Sequence, residues 1–553
     1  MTFPQAPATP RRAAARVAEN LVGRVLRLPP ATTDFTVTRR VRIPCRDGIE
    51  LAADLYRPTS GAVGTVLVRG PYGRSLPIAF PMARVFAARG YHCLFVSSRG
   101  TFGSGGVFDP MRTEAEDGQD VVAWMTAQPW FTGTFATLGG SYLGHTQWAL
   151  LREPPAELAT AIVSVGPHDF SEYVWGTGAF RLDFLGWSNQ IVHQEDGPAV
   201  RRLLSMATGD RRRLTSAMDT LPLVAAADTF LHGRAPWYRE WVTRPDRSDP
   251  FWAPMQHGVA LERVEVPVLL IAGWQDLFLD QTLEQYRRLH ERGVDVALTV
   301  GPWSHLSASG ALGTTTRETL DWLDEHLARR TTHRRASPVR VHVTGAGQWR
   351  GLPAWPPPTG EAALFLAPGG GLSADPPPAD AAPSSFSFDP ADPTPTMGGP
   401  LLSGRCRVDD SALAARADVL AFTGPPLERG LEVVGRPVLE LAHRSDNPHA
   451  DVFARLSEVL ADGRSFNVTE AYLRLDPQRG DAPVTVALRQ TAHRFAAGSR
   501  IRVLVAGGCH PQFARNLGTG ENPGTGAGLR PARHSVAHGE GGPSRIVLPV
   551  SNP

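Results

Sequence analysis

Short apolar runs separated by helical patterns constrain the fold of this chain more than any other feature. TVLV (65–68), HCLFV (92–96), FATL (135–138), AIVSV (161–165) and VLLIAG (268–273) alternate with helical segments over roughly 79–89, 114–127, 142–151 and 280–292. A strand that is apolar at successive residues, rather than at alternate ones, is covered on both faces, and the intervening helices supply the cover. The pattern therefore predicts an α/β core built on a parallel sheet. Ahead of it, Arg39 to Tyr56 alternates around Asp47 and Gly48, a turn pair that favours a hairpin.

The alternation stops between residues 168 and 258, where Trp, Arg and short helical patterns replace strand-like runs. This segment reads as a helical cap inserted over the sheet's active edge, dividing the sheet domain into 36–167 and 259–349. Residues 350–384 carry LPAWPPPTG and PGGGLSADPPPADAAPSS and read as linker and long loop. From 385 to 553, short β-type runs such as VLAFTG, DVFARLSEVL and RIRVLVAGG recur between turn residues, the pattern of an all-β sandwich. In residues 1–35, Ala14, Val17, Leu21, Val25 and Leu28 fall at helical spacing. They predict an amphipathic arm that ends at Pro29 and Pro30 and docks on its own domain or on a neighbouring subunit of a homo-oligomer.

Charge excludes some partners. The 56 basic and 54 acidic residues leave a net +2, too little field for a chain that coats nucleic acid or a membrane. Cys45, Cys93, Cys406 and Cys509 form no CxxC pair, which argues against a zinc knuckle or a redox dithiol and for reduced thiols in a cytoplasmic protein. No apolar run approaches the ~18 residues of a membrane span. Arg11 and Arg12 resemble a twin-arginine export signal, but Arg16, Glu19, Arg24 and Arg27 interrupt any signal core.

The sharpest chemical signal is FATLGGSYLG, residues 135–144, where an apolar strand runs through Gly139 into Ser141 and YLGHTQWALLR continues as a helix. A serine on such a turn is held above the sheet, and the next backbone N–H points to where an oxyanion would form. The usual spelling is GxSxG; here the second glycine stands one place later, at Gly144. A serine hydroxyl needs a base and a carboxylate to orient that base. Strand VLLIAG leads to Asp276 and strand VALTV (296–300) leads to His305, in the order Ser, acid, His of doubly wound hydrolases.

GGSYLG around Ser141, GWQD ending at Asp276 and GPWSH ending at His305 resemble the three catalytic blocks of the cocaine esterase and Xaa-Pro dipeptidyl-peptidase family of serine hydrolases. GPYGR (70–74), SRGTFGSGG (98–106), EDGQDVVAWMTAQPWFTG (116–133), FDPADPTPTMGGP (388–400) and DVLAFTGPPL (418–427) extend the resemblance over about residues 36–550. It implies an α/β-hydrolase sheet with an inserted helical cap and a C-terminal jelly-roll-like β domain. It also implies Ser141 as nucleophile, His305 as general base and Asp276 as the residue that fixes the imidazole. The oxyanion hole would join the Tyr72 hydroxyl to the Tyr142 backbone N–H. Ser98 stands before Arg99 where the family usually has Asp or another polar residue, a departure that leaves the triad intact. The implied chemistry is acyl-enzyme hydrolysis of small esters, amides or short peptides, without cofactor or metal. The alternatives are Xaa-Pro dipeptide removal, acyl transfer with the same triad, or an inactive scaffold that acts as a binding protein.

Other features have plainer readings. RGTFGSGG lacks the spacing and the following helix of a nucleotide loop and reads as a tight turn. The sequon at Asn467 matters only in a secreted eukaryotic protein. His168, Asp169, Glu172 and Asp183 read as capping residues, with pocket lining as the alternative. Trp175, Trp187, Trp237, Trp241 and Trp252 read first as packing and second as an apolar acyl pocket.

Overall fold

The computed structural model describes residues 9–10, 13–197, 210–310, 312–330, 335–539 and 542–551. They fall into two compact units, one of Met1–Phe170, Pro250–Arg340 and Gly351–Pro353, the other of Ser171–Asp249, Val341–Arg350 and Ala354–Pro553.

In the first unit, β1 (Phe35–Pro44), β2 (Glu50–Pro58), β3 (Gly64–Gly70), β4 (Tyr91–Ser97), β5 (Phe135–Gly140), β6 (Leu158–Ser164), β7 (Val268–Gln275) and β8 (Val296–Ser304) lie side by side. Their order is β1-β2-β4-β3-β5-β6-β7-β8. The expected hairpin forms, with Pro44 opposite Glu50, and β2 meets β4 antiparallel. Every later pairing is parallel. All residues of β3 and β4 are buried, as their unbroken apolar runs require. Because β3 lies between β4 and β5, the strand order reverses there, and the loops leaving β3 and β5 open side by side at the carboxyl edge. Ligand sites in doubly wound sheets form at such reversals.

The N-terminal helix ends earlier than expected. Helix α1 (Ala13–Val25) stops four residues before Pro29. Arg27 adopts φ 53°, and Leu28 N–H reaches back to Gly23 O (2.9 Å) while Arg27 N–H reaches Arg24 O (3.0 Å). A left-handed residue with paired backward hydrogen bonds ends the helix, so the prolines are not needed for that. The apolar stripe is turned outward: Val17, Leu21 and Val25 are 68%, 62% and 74% exposed. Leu28 is buried instead, and Arg89 Nε donates to Pro29 O (3.0 Å), so the segment after the helix does the anchoring.

The second unit is dominated by short, mainly antiparallel strands. Strand Asp451–Val459 is buried at every residue. Val452, Ala454 and Leu456 enter one core with Phe422, Leu439, Val503 and Ile546. Phe453 on the opposite face enters a second core with Tyr472, Leu504, Phe513 and Ala179, the last from the segment inserted between β6 and β7. Backbone bonds tie that insert to the strands and loops of this unit: Arg474 N–H to Thr177 O (2.8 Å), Ala514 N–H to Phe180 O (2.7 Å) and Val224 N–H to Gly524 O (2.9 Å). Residues 350–384, read from sequence as linker and loop, require correction. Gly360–Ala367 and Gly371–Ser373 form an antiparallel hairpin inside this β unit. The flanking PPPTG and PGGG hid an eight-residue strand; the glycines make its turn, with Gly369 and Gly370 at φ 72° and 80°. The sequon residue Asn467 is buried, with its amide bonded to Cys406 O and the Val408 N–H.

Candidate active site

β5 ends at Gly140, and α3 (Tyr142–Leu150) begins one residue after Ser141. Ser141 itself sits at φ 58°, ψ −123°, a conformation that costs a residue with a Cβ on the order of 1–3 kcal/mol. The surroundings enforce it: Ser141 N–H donates to Ser164 O on β6 (3.0 Å), and Ser141 O accepts from Gly144 and His145 N–H (2.9 and 3.0 Å). A Cβ at Gly139 would lie 2.4 Å from Leu143 Cβ, and one at Gly144 would lie 2.6 Å from Gly166 Cα. The displaced second glycine is thereby explained, because α3 backs onto the loop after β6 at position 144.

Asp276 follows β7 and is fully buried. Its Oδ2 accepts the Phe278 N–H (2.9 Å) and its Oδ1 meets His305 Nδ1 at 2.6 Å. His305 follows β8, packs its ring edge-on against Phe278 and approaches Ser141 Oγ with Nε2 at 2.9 Å. An ionised carboxylate can only accept, so Nδ1 carries the proton and Nε2 offers its lone pair to the serine hydroxyl. The glycines of GWQD and GPWSH make room for Trp303: a Cβ at Gly273 would fall 2.2 Å from Trp303 O, and one at Gly301 2.3 Å from its ring. Thus Ser141, Asp276 and His305, expected from three separate strand ends, form one hydrogen-bonded line.

Tyr72 is half-buried on the loop after β3, its ring edge-on to that of Tyr142 with centroids 6.3 Å apart. Its loop is clamped by a residue that sequence reasoning passed over. Arg74, buried, donates to Ser97 Oγ and to Phe102 O (3.3 Å) and lies 3.4 Å from Asp54. Gly73, at φ 84°, packs against the Phe102 ring, where a Cβ would come within 2.9 Å of it. The RGTFGSGG segment is a tight turn, closed by Gly100 N–H to Gly105 O (2.9 Å).

Further buried groups surround the start of α3. Tyr142 Oη donates to Glu114 Oε1 (2.9 Å) and accepts the Met111 N–H (2.8 Å). His145 Nε2 and His257 Nε2 are 3.2 Å apart, and the His257 N–H donates to His168 O (2.7 Å). Burial lowers the pKa of His145 and His168 to about 4 and pushes that of His257 well below its ordinary value, so all three are neutral at pH 7.

The remaining candidates are occupied structurally. Gln281 on α4 (Leu279–Glu291) accepts both the His168 and Asp169 N–H at 2.9 Å. Glu172 pairs with Arg247 (2.5 Å), and Asp183 accepts from Tyr173 Oη (2.6 Å). Trp175, Trp187, Trp237, Trp241 and Trp252 are all buried; Trp175 Nε1 donates to Trp241 O (2.8 Å) and Trp237 Nε1 to Ser188 Oγ (3.1 Å).

Residues 47–307 match the family model described as X-Pro dipeptidyl-peptidase (S15 family), and residues 332–547 match that of the X-Pro dipeptidyl-peptidase C-terminal non-catalytic domain. The chain is 28% identical over 580 residues to the cocaine esterase of Rhodococcus sp. (strain MB1 Bresler), covering 94% of this chain and 99% of that protein. Its fold is similar to that of an aminopeptidase from the marine sediment archaeon Thaumarchaeota archaeon, with a TM-score of 0.79, 22% identity and coverage of 95% and 98%. An α-amino acid ester hydrolase is similar to the same degree, with a TM-score of 0.79, 23% identity and the same coverage of 95% and 98%.

Proposed function

The chain belongs to the X-Pro dipeptidyl-peptidase (S15) family and is a serine hydrolase, and on that premise we propose that Ser141, His305 and Asp276 are its catalytic triad. The reading rests on the hydrogen-bonded chain from Ser141 Oγ through His305 to Asp276, at 2.9 and 2.6 Å.

Asp276, itself steadied by the Phe278 N–H, holds His305 with Nε2 toward the serine. As Ser141 Oγ attacks a carbonyl carbon, its proton passes to Nε2 and negative charge moves to the carbonyl oxygen. The imidazolium is stabilised by Asp276 and then donates its proton to the leaving alcohol or amine. Water repeats the sequence on the acyl-enzyme and releases the acid. The Tyr142 N–H, in the first turn of α3, and the Tyr72 hydroxyl receive the developing oxyanion.

Small carboxylic esters are the leading substrate class, supported by the likeness to the cocaine esterase along nearly its whole length. Release of Xaa-Pro dipeptides is the second reading, favoured by the description of both matching family models. A fluorophosphonate probe tests the triad: labelling of the chain that vanishes in Ser141→Ala is the expected result, and labelling that survives the substitution overturns it. p-Nitrophenyl acyl esters beside Ala-Pro and Gly-Pro anilides then separate the substrate classes.

A further inference from the structure

We propose that Glu114 and the Tyr142 side chain are positioning residues that hold both halves of the oxyanion hole in register; the inference rests on the catalytic reading above. Tyr142 has two roles in one residue. Its backbone N–H is the donor that follows the nucleophile, and its side chain points into the protein, where it is 2% exposed. There Oη is fixed from two sides, donating to Glu114 Oε1 (2.9 Å) and accepting the Met111 N–H (2.8 Å). The first residue of α3 is thus pinned through its hydroxyl as well as through the helix.

The other half is tied to the same carboxylate. Glu114 Oε2 accepts from Arg69 Nη2 (2.8 Å), which also donates to Glu114 O (2.7 Å). Arg69 is the penultimate residue of β3, three positions before Tyr72, and its own carbonyl accepts the Thr146 hydroxyl of α3 (3.2 Å). Arg69, Glu114 and Tyr142 are 5%, 3% and 2% exposed. A water-facing carboxylate would give little rigidity, whereas a buried one bonded on both oxygens has no cheap alternative arrangement. One side chain on α2 (Glu114–Thr126) therefore links the strand end that carries Tyr72 to the helix start that carries the Tyr142 N–H. Burial pushes the Glu114 pKa up, with Arg69 opposing, and pushes that of Tyr142 well up, so the phenol keeps the proton it donates.

Oxyanion donors act on the transition state, and a misplaced donor loses rate without losing substrate affinity. Tyr142→Phe removes the hydroxyl and leaves the Glu114–Arg69 pair standing, so it is the variant of choice; Glu114→Gln is the companion. With active sites counted by fluorophosphonate titration, we expect kcat on a p-nitrophenyl ester to fall about 10- to 100-fold in Tyr142→Phe, with KM within about 2-fold. Affinity for a phenylboronic acid, which mimics the tetrahedral adduct, should fall in parallel with kcat/KM. Unchanged kcat and boronate affinity overturn the proposal, and so does a loss of activity that titration traces wholly to fewer folded sites. Ser141→Ala, run alongside, separates the premise: full activity there removes the catalytic reading, whereas a dead Ser141→Ala beside a wild-type Tyr142→Phe removes only the positioning role.

Discussion

Gly144 and Gly166 meet backbone to backbone: a Cβ on either would fall 2.6 or 2.7 Å from the Cα of the other. Gly144 lies three residues after Ser141, so this contact sets how closely α3 approaches the loop after β6. Gly144→Ala should push the helix away, destabilise the protein by about 1–3 kcal/mol and lower kcat/KM by more than the loss of folded protein explains. Thermal melting together with titrated kinetics checks this; an alanine variant that melts and turns over like the parent refutes the steric argument.

Asp276 fixes which nitrogen of His305 carries the proton. Asp276→Asn would present an N–H to Nδ1, turn the ring's lone pair inward and leave Nε2 protonated toward Ser141. A fall in kcat of about 10³- to 10⁴-fold is expected with little change in KM, read from steady-state ester hydrolysis. A variant within ten-fold of the parent would remove Asp276 from the triad.

Tyr72→Phe tests the side-chain half of the proposed oxyanion hole. Loss of one such donor costs about 10²–10³ in kcat. Because Arg74 and the Gly73–Phe102 contact fix the loop without the phenol, the variant should melt at the parent's temperature. An unchanged kcat would assign the second donor elsewhere.

Acid should weaken the first unit in a defined window. The pKa values of His145 and His168 are lowered by burial to about 4, against an ordinary value near ~6.5 in the unfolded chain. A depressed pKa means that the unfolded state takes up the proton first. The stability these groups contribute is therefore whole above about pH 6.5 and is lost as the pH falls towards 4, at most about 3 kcal/mol for each histidine. Melting temperatures measured from pH 7 to 4 should drop steeply, and His145→Gln should make the drop shallower. Identical slopes in parent and variant would deny the buried histidines that role.

The three residues of the proposed triad were legible because each closes a buried strand with a local signal: GGS after β5, GWQD after β7, GPWSH after β8. The strands were legible for the same reason, since burial on both faces leaves unbroken apolar runs. Glu114 was not, because a lone glutamate at a helix start looks like any first-turn acid, and its partner Arg69 stands 45 positions earlier on β3. Only the sheet's order brings them together. The strand Gly360–Ala367 was masked by the prolines and glycines that form its turns. The outward stripe of α1 shows the converse limit, since periodicity identifies an apolar face but not what it meets.

The insert at Ser171–Asp249 shares a hydrophobic core with strands that are synthesised some two hundred and more residues later. Thr177, Phe180 and Gly524 are joined to their partners by main-chain bonds that cannot exist until the last fifth of the polypeptide has left the ribosome. During translation those helices must wait unpaired, and a chain cut after residue 353 would strand them permanently. Expressing residues 1–353 alone should therefore yield aggregate rather than a smaller folded protein.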